Sequence, residues 1–313
     1  MPVLAGFLLT AAWLAPAAAS GQEAPDPPPE VAYSRNGADT CIKCHDDAEV
    51  LSLFKTPHGS RADPHAPFAA GQLQCEACHG PGGAHAGRVR TGETRPPVMR
   101  FGAKSGTPAA SQNGVCLGCH ADTVGDAWHA GAHERSGVAC ADCHRVHAAR
   151  DDVRTTDRQA MVCFGCHSRQ RAEYAKPFHH PLEGNLMSCA GCHGPHGSPN
   201  EFSLRRASLN DTCYSCHAEK RGPFLWEHAP VAEDCSNCHV PHGSSQPGLL
   251  TLRAPLLCQQ CHSQVGHPGF AYGPEGLPGG TGQPSSYLVA GSCLNCHSQV
   301  HGSNHPSGSR LTR

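Results

Sequence analysis

The 20 cysteines of this chain form ten pairs. Two residues separate the cysteines of each pair, and a histidine directly follows the second cysteine. Residues i, i+3 and i+4 of a helical turn lie on one face, so two thiols can form thioethers to the vinyl groups of one haem while the histidine binds its iron. The C-x-x-C-H spacing therefore predicts covalently attached haem c, ten per chain. The motifs, numbered 1 to 10 in chain order, are Cys41/Cys44/His45, Cys75/Cys78/His79, Cys116/Cys119/His120, Cys140/Cys143/His144, Cys163/Cys166/His167, Cys189/Cys192/His193, Cys213/Cys216/His217, Cys235/Cys238/His239, Cys258/Cys261/His262 and Cys293/Cys296/His297.

Three other uses of cysteine explain this pattern less well. Tetrahedral zinc sites also use C-x-x-C pairs, but zinc does not need a histidine directly after every second cysteine. A disulfide framework would leave the histidines unexplained, and a thioredoxin-like redox site needs a single pair. Because all ten pairs carry the histidine, the pattern favours haem.

Each motif histidine supplies one axial ligand, and spare histidines are numerous enough to supply the other. Of 24 histidines, ten belong to the motifs and fourteen remain. One spare histidine recurs between the two motifs of each repeat and another just after the second motif, which predicts a distal ligand at equivalent places. The predicted distal set is His58, His85, His133, His147, His180, His196, His228, His242, His267 and His301.

Three places in this set have a close competitor in the sequence. His65 fits no repeat position and is the spare histidine least suited to be a ligand. The competitors are His129 for the place of His133, His179 for that of His180, and His305 for that of His301.

Two histidines on every iron would leave no axial position open for a substrate such as nitrite, hydroxylamine or peroxide. Met99, Met161 and Met187 do not recur by repeat, and no C-x-x-C-K variant marks one haem as different. His/His ligation also favours low reduction potentials. The pattern therefore predicts an electron-transfer protein with no catalytic residue, rather than an enzyme.

The segments that position the motifs alternate in character, which predicts five two-haem repeats. Odd-numbered motifs have helical neighbours, as in NDTCYSCHAEK, with Asp39 or Thr40 and Asn210 or Asp211 as candidate N-caps. Even-numbered motifs run into turns with another histidine, such as CHGPH and CHVPH. Long loops at 82–114 and 266–292 interrupt the spacing, and loops of that length are usually functional or face a partner.

The composition predicts a fold that depends on its cofactor. With 35 glycines, 27 prolines and 5% aromatic residues, the chain has too little apolar sequence for an ordinary core. We therefore expect a multihaem cytochrome c fold, mostly irregular coil with short α-helices wrapped around ten covalently attached haems. The formal net charge of -2 and the lack of a basic stripe or polybasic segment give no indication of nucleic acid or anionic lipid as a partner.

The N-terminal residues predict export. Residues 4–15 are an apolar run, and APAAAS offers a small-residue cleavage site after Ala19, which predicts a signal peptide over residues 1–19. No lysine or arginine precedes the run, which is unusual for a signal peptide. A proline-rich linker over residues 20–40 follows. No later segment approaches 18 apolar residues, so no transmembrane helix is expected.

The ten motifs, the C-H-G-P-H-G turns and the ending CHSQVHGSNHPSG resemble the DmsE/MtrA/PioA family of periplasmic decahaem c-type cytochromes. The resemblance covers nearly the whole chain after the leader, and the ending is its most specific part. It implies an elongated haem wire of two pentahaem halves, an N-terminal half over residues 41–170 and a C-terminal half over 171–313.

The resemblance also implies partners and a place in the cell. Members of this family lie in the periplasm, inserted in an outer-membrane β-barrel porin. They exchange electrons with a periplasmic or inner-membrane cytochrome, and often with an extracellular multihaem cytochrome or a surface reductase. They carry electrons outward to metal oxides or a surface dimethyl sulfoxide reductase, or inward from Fe(II). The rival interpretations are, in order, a soluble periplasmic shuttle, a multihaem reductase and a structural zinc protein.

Overall fold

A computed structural model describes residues 32–198, 200, 202–262 and 293–312. The predicted signal peptide, part of the predicted linker and the whole second long loop, with the predicted ligand His267, lie outside the described residues. Within the described part, no helix is both long enough and apolar enough to span a bilayer.

Short helices separated by coil make up the described chain. The longest is the 12-residue helix Ala109–His120. The other α-helices are Ala38–Cys41, Ala48–Ser52, Glu76–His79, Gly83–Ala86, Asp126–His129, Ala132–Arg135, Cys140–Cys143, Thr156–Cys163, Ser168–Tyr174, Cys189–Cys192, Leu209–Tyr214, Ala229–Glu233 and Ala254–Gln259. Single 3-10 turns are Leu53–Lys55, Pro57–Gly59, Asp152–Arg154, Glu183–Asn185, Ala218–Lys220, Cys235–Asn237, Pro247–Leu249, Cys293–Asn295 and Gly308–Arg310, and one π-helical turn is Ala121–Gly125.

Helices lead into the odd-numbered motifs and end there. Thr156–Cys163 stops at the first cysteine of motif 5, and Leu209–Tyr214 stops one residue after the first cysteine of motif 7. Only Ala109–His120 contains a whole odd motif, and it begins inside the segment predicted as the first long loop. The helical prediction for the odd motifs was therefore right in placing helices there, but most of them lie before the second cysteine rather than across the motif.

Both N-cap predictions were wrong. The helix Ala38–Cys41 follows Gly37, which has a positive φ of 53° and no side chain to cap with. Ser208, not Asn210 or Asp211, caps Leu209–Tyr214, since its hydroxyl accepts a hydrogen bond from the backbone N–H of Asp211. The side chain of Asn210 is instead directed across the chain to the next motif.

Each even-numbered motif is a single helical turn followed by a return of the chain. The cysteines of motifs 4 and 6 span the helices Cys140–Cys143 and Cys189–Cys192. Beyond such motifs, the only β structure among the described residues is a set of isolated bridges, two within one repeat and two between successive repeats. They join Phe178 to Ser244, His193 to Leu204, Trp226 to Ser303 and His239 to Leu250.

The protein part of the core is small. One cluster of buried apolar residues joins Ala38, Leu53 and Phe68, with Cys75 packed against it. No large side chain of the described part is completely buried, while Met161 and Leu186 are mostly exposed. Short helices, coil and a minimal apolar core confirm the predicted fold class. The chain cannot bury enough apolar surface by itself, which is the expected state of a polypeptide that folds around its cofactor.

The predicted division into two halves stays a prediction, and contacts cross it at several places. Oε1 of Gln159 accepts a hydrogen bond from the backbone N–H of Ala190 at 2.7 Å. Nδ1 of His133 is 2.7 Å from the carbonyl oxygen of Pro195, 62 residues away in the sequence. The chain therefore passes from residues 41–170 to 171–313 through the same kind of repeat-to-repeat contact that it uses elsewhere.

Candidate haem sites

Nine motif histidines of the described residues each face a second histidine outside the motifs. The ring centres of the two members lie 5.9–6.4 Å apart in every pair. Each site takes the number of its motif. From site 1 to site 9 the pairs are His45–His85, His79–His147, His120–His58, His144–His196, His167–His133, His193–His242, His217–His180, His239–His301 and His262–His228.

The separation within these pairs fits one metal ion between two imidazoles. With metal–nitrogen bonds of about 2 Å, two coordinating nitrogens lie about 4 Å apart and the ring centres about 6 Å apart. Two imidazoles that packed against each other directly could approach more closely, so the recurrence of one wider spacing needs a cause common to all the pairs. A haem iron between the rings is such a cause, and the histidine pairs fit that group.

The pairs join neighbouring repeats instead of closing within one repeat. His133, which lies between motifs 3 and 4, faces His167 of motif 5. In the other direction, His196, which follows motif 6, faces His144 of motif 4. Each repeat therefore contributes a histidine to the next repeat and another to the previous one.

The two ends of the chain depart from this rule. At the N-terminal end His85 turns back to His45 of its own repeat. At the other end the pattern assigns His267 to His297, and His267 lies outside the described residues, so this tenth pair stays a prediction.

In each competing pair, the structure places the predicted ligand, and not its competitor, against a motif histidine. His129 is hydrogen-bonded to Glu134, with Nδ1 2.8 Å from Oε1, while His133 faces a motif histidine. His179 packs edge-on against Tyr174, and its neighbour His180 faces His217.

The same distinction applies to His301 and its competitor His305 near the C-terminus. Nδ1 of His305 is 2.9 Å from the Ser307 hydroxyl oxygen, while His301 faces His239. The ring of His65 is exposed. The described histidines of the predicted set, all except His267, are thus the ones that the fold brings to the motifs.

Consecutive motifs lie near one another through their cysteines, and two kinds of contact alternate. In the first kind, the first cysteines of two motifs are close enough for their thiols to hydrogen-bond, and in the second kind the second cysteines are close enough to interact electrostatically. The first kind joins Cys41 to Cys75, Cys116 to Cys140, Cys163 to Cys189, Cys213 to Cys235 and Cys258 to Cys293. The second kind joins Cys78 to Cys119, Cys143 to Cys166, Cys192 to Cys216 and Cys238 to Cys261. All nine steps from motif 1 to motif 10 are present, so the attachment points form one unbroken series.

Two of the predicted attachment cysteines, Cys44 and Cys296, lie outside both kinds of contact among the described residues, and both are exposed. Each is the second cysteine of a terminal motif, so the neighbouring motif that a second cysteine would meet does not exist on that side. Their backbone N–H groups donate to the carbonyls of Cys41 and Cys293, at 3.1 and 3.2 Å, which keeps both cysteines of each motif on one turn. Because neither cysteine takes part in the contacts between motifs, the prediction of thioethers at Cys44 and Cys296 depends on the motif spacing alone.

Hydrogen bonds at Nδ1 orient the paired rings. In motifs 2, 6, 8 and 10 the motif histidine donates to a backbone carbonyl, for example His239 to Gly248 at 2.7 Å. Three histidines that lie between motifs, His133, His180 and His228, use the carbonyl just before the next trailing histidine, as His180 does with Pro241 at 2.7 Å. Because Nδ1 is engaged, Nε2 is the nitrogen left for a metal.

Burial keeps several distal histidines neutral. Loss of solvation lowers the pKa of His58, His147, His196 and His301, and a nearby motif histidine lowers it further. At His242 burial also lowers the pKa, against the opposing effect of Glu173. A neutral imidazole is the form that binds iron, so this environment favours ligation.

Two buried asparagines, whose role the sequence analysis did not predict, hold paired motifs together. Asn113 accepts from the backbone N–H of Cys140 and donates to the carbonyl of Val138, and Asn210 accepts from the backbone N–H of Cys235. Each asparagine stands three residues before the first cysteine of its motif, in NGVC and NDTC. That recurrence is the signal in the sequence, and of the two asparagines only Asn210 was predicted to have a role, as a candidate N-cap.

A buried indole next to site 4 has an unsatisfied donor. Trp128 is 5% exposed, and its Nε1–H has no hydrogen-bond partner in the protein. Its ring centre is 6.5 Å from that of His196, the distal member of site 4. A buried N–H is costly unless an acceptor is supplied, and a haem propionate is an acceptor of the right charge. No cluster of three or more histidine, cysteine or acidic side chains in the described residues is arranged to hold a metal ion.

Sequence comparison relates the chain to known c-type cytochromes. The family of the doubled CXXCH motif matches residues 179–222 and 228–267, and the family of NrfB-like cytochrome c-type proteins matches residues 75–162. Multiheme cytochrome MtrA of Shewanella baltica is 50% identical over 283 residues, which are 90% of this chain and 83% of that protein. Cytochrome c-type protein NrfB of Escherichia coli is 32% identical over 148 residues, 45% of this chain and 71% of that protein. The CXXCH motifs of this chain are therefore sites of covalently bound haem c.

Proposed function

Because the chain belongs to the family of the multihaem cytochrome MtrA, we propose that it is a decahaem electron conduit whose ten haems are each held between two histidines. The observation that carries the proposal is the unbroken series of neighbouring cysteine pairs between consecutive motifs, from Cys41 and Cys75 to Cys258 and Cys293. Haems attached at neighbouring cysteines would lie close together, as stepwise electron transfer requires.

The chain's own residues have three tasks in this proposal. The cysteines would fix each porphyrin, the motif histidine would bind the iron, and a second histidine would bind it too, from a neighbouring repeat in every described pair except His45–His85. The bound haem supplies an iron that gains and loses one electron, at a low potential when both ligands are histidine. With both axial positions closed, we propose transfer without catalysis.

The proposed setting is the periplasmic side of an outer membrane, inside a β-barrel porin. Many motif side chains are exposed or only partly buried in the chain itself, and the described part has no helix that could span a bilayer. A wire that must cross lipid then needs a closed sheath with a polar lumen, which a barrel provides. One end of the wire would meet a periplasmic or inner-membrane cytochrome, and the other an extracellular multihaem cytochrome or a surface reductase.

Purification from native membranes and from periplasm, in parallel, tests this proposal. We expect about ten haems per chain by pyridine haemochrome analysis, and mass spectrometry should find an outer-membrane barrel protein co-purifying in the membrane fraction. A soluble monomer with the same haem content would replace the conduit with a shuttle. A much lower haem content would contradict the assignment of the ten sites.

Substitution of two neighbouring histidines tests the axial pairing. His133→Ala should open one iron, because His133 is the residue that faces His167, and a high-spin component should appear in the electron paramagnetic resonance spectrum. His129→Ala is the matched control four residues away and should leave every iron low-spin, since His129 is engaged with Glu134. The opposite result would exchange the roles of the two residues.

A further inference from the structure

Two carboxylates stand where several other paired histidines, such as His180 and His239, have backbone carbonyls. Nδ1 of His144 is 2.7 Å from Oδ2 of Asp151, whereas the motif histidines of motifs 2, 6, 8 and 10 bond to carbonyl oxygens. On the distal side, Nδ1 of His242 is 3.1 Å from Oε2 of Glu173. These contacts belong to sites 4 and 6.

Both carboxylates are sheltered from solvent. The side chain of Asp151 is 18% exposed and that of Glu173 is 15% exposed. Sheltered charges act on a neighbouring group more strongly than exposed ones, because water screens them less. A carboxylate that accepts the Nδ1–H of a ligating imidazole gives the ring anionic character and makes it a stronger donor to the metal.

We propose that Asp151 and Glu173 are tuning residues that make sites 4 and 6 the lowest-potential pair in the wire. A more basic ligand and a nearby negative charge both stabilise the oxidised iron, so the reduction potential falls at these two positions. This inference rests on the histidine pairs of the proposed function.

The two carboxylates differ in how far they lower the reduction potential of the neighbouring site. Apart from His144, Asp151 accepts from the backbone N–H of Arg145 at 3.3 Å, and the Arg145 guanidinium is occupied with Glu49. Glu173 is partly neutralised, because Nε of Arg169 lies 3.2 Å from its other oxygen, Oε1. With its shorter hydrogen bond and no cation paired with it among the described residues, Asp151 has the larger effect.

Site 5 lies between sites 4 and 6 in the series. Its second cysteine, Cys166, lies near Cys143 of site 4, and its first cysteine, Cys163, lies near Cys189 of site 6. An electron on site 5 therefore has a less favourable neighbour on each side. An electron on site 5 must therefore take a step of unfavourable free energy to leave it, whether it moves to site 4 or to site 6.

A redox titration of the purified holoprotein tests the proposal, with Asp151→Asn as the main variant. We expect the reduction equilibrium constant of one haem to rise about tenfold, which is 59 mV for a one-electron couple, at the low-potential end of the titration. Glu173→Gln should shift another haem in the same direction by less. Asp151→Glu, which keeps the carboxylate, should return most of the shift.

Asp152→Asn is the matched control. It removes the same charge one residue away, from a side chain that is 40% exposed and paired at 4.0 Å with Arg158, not with a histidine. A shift as large as that of Asp151→Asn would show that only distant charge matters, and no shift in either Asp151→Asn or Glu173→Gln would overturn the proposal. Haem content and the low-spin signal are measured on each variant, so that failure of the histidine pairing is seen separately. If Asp151→Asn does not mature, Glu173→Gln carries the test.

Discussion

Replacing both Cys163 and Cys166 with alanine should give a chain that lacks one haem and no longer conducts from end to end. Those cysteines are the attachment points of site 5, and each of them contacts a different neighbour. Cys163 lies against Cys189 of site 6, and Cys166 lies near Cys143 of site 4. Removing site 5 therefore leaves a gap in a series that has one path, and we expect electron transfer across native outer membranes to fall by orders of magnitude.

The single substitutions are the matched controls for that experiment. Cys163→Ala or Cys166→Ala alone leaves one thioether, and the pair His133 and His167 remains to hold the iron. We expect either variant to keep its haem and most of its transfer rate. Pyridine haemochrome analysis gives the haem content, and reduction of an acceptor on the far side of the membrane gives the rate. A double variant that has lost one haem but still transfers electrons at the wild-type rate would mean that the sites do not form a single series.

Gly197→Ala should be the most damaging of the conservative substitutions. Gly197 directly follows the distal histidine His196 and has a φ of 133°, which residues with a Cβ rarely adopt. A Cβ there would overlap the carbonyl oxygen of Ala127 in the preceding repeat. We expect a loss of about 2–4 kcal/mol in the free energy of unfolding. His196 should also move away from His144, which would produce a high-spin signal.

The matched control is Gly114→Ala. Gly114 lies inside the helix Ala109–His120, and a Cβ at that position meets no atom within 4 Å. Alanine there should stabilise the protein by about 0.5–1 kcal/mol, because glycine loses more conformational freedom in a helix. Guanidinium denaturation followed by circular dichroism measures both changes. Equal effects of the two substitutions would show that the close approach at Gly197 does not constrain the chain.

The same constraint recurs after two other trailing histidines, whereas His85 and His147 are followed by alanine. Gly243 follows His242, and a Cβ on it would meet the carbonyl of Glu173. Gly302 follows His301, and a Cβ on it would meet the ring of Phe224. In each case the glycine lets a trailing histidine pass close to the segment of the previous repeat, which explains the repeated H-G dipeptide of the turns.

The attachment chemistry could be predicted from the sequence because it is local. Two thiols and an imidazole at i, i+3 and i+4 share one face of a helical turn whatever the rest of the chain does. Repeat position was nearly as informative for the distal histidines: the described members of the predicted set, such as His58 and His301, all face a motif histidine. The small apolar core followed from composition alone.

Capping was misread because one residue type serves two purposes. Asparagine before a helical segment favours an N-cap, and Asn210 stands at such a place. In the fold a serine two residues earlier takes the cap, and Asn210 reaches the backbone N–H of Cys235 instead. A single sequence cannot separate these uses, because the second partner lies 25 residues away.

Only the tertiary structure decided which histidines meet. The sequence determined that each iron has a histidine of its own motif and a choice of others, and the fold assigned His196 to motif 4 and His133 to motif 5, across repeats. It also put Asp151 and Glu173, and not carbonyl oxygens, against His144 and His242. The physical reason is the distance along the sequence between the interacting residues. Covalent attachment depends on spacing within one helical turn, whereas the histidine pairs and the partners of Nδ1 depend on contacts between distant segments of the folded chain.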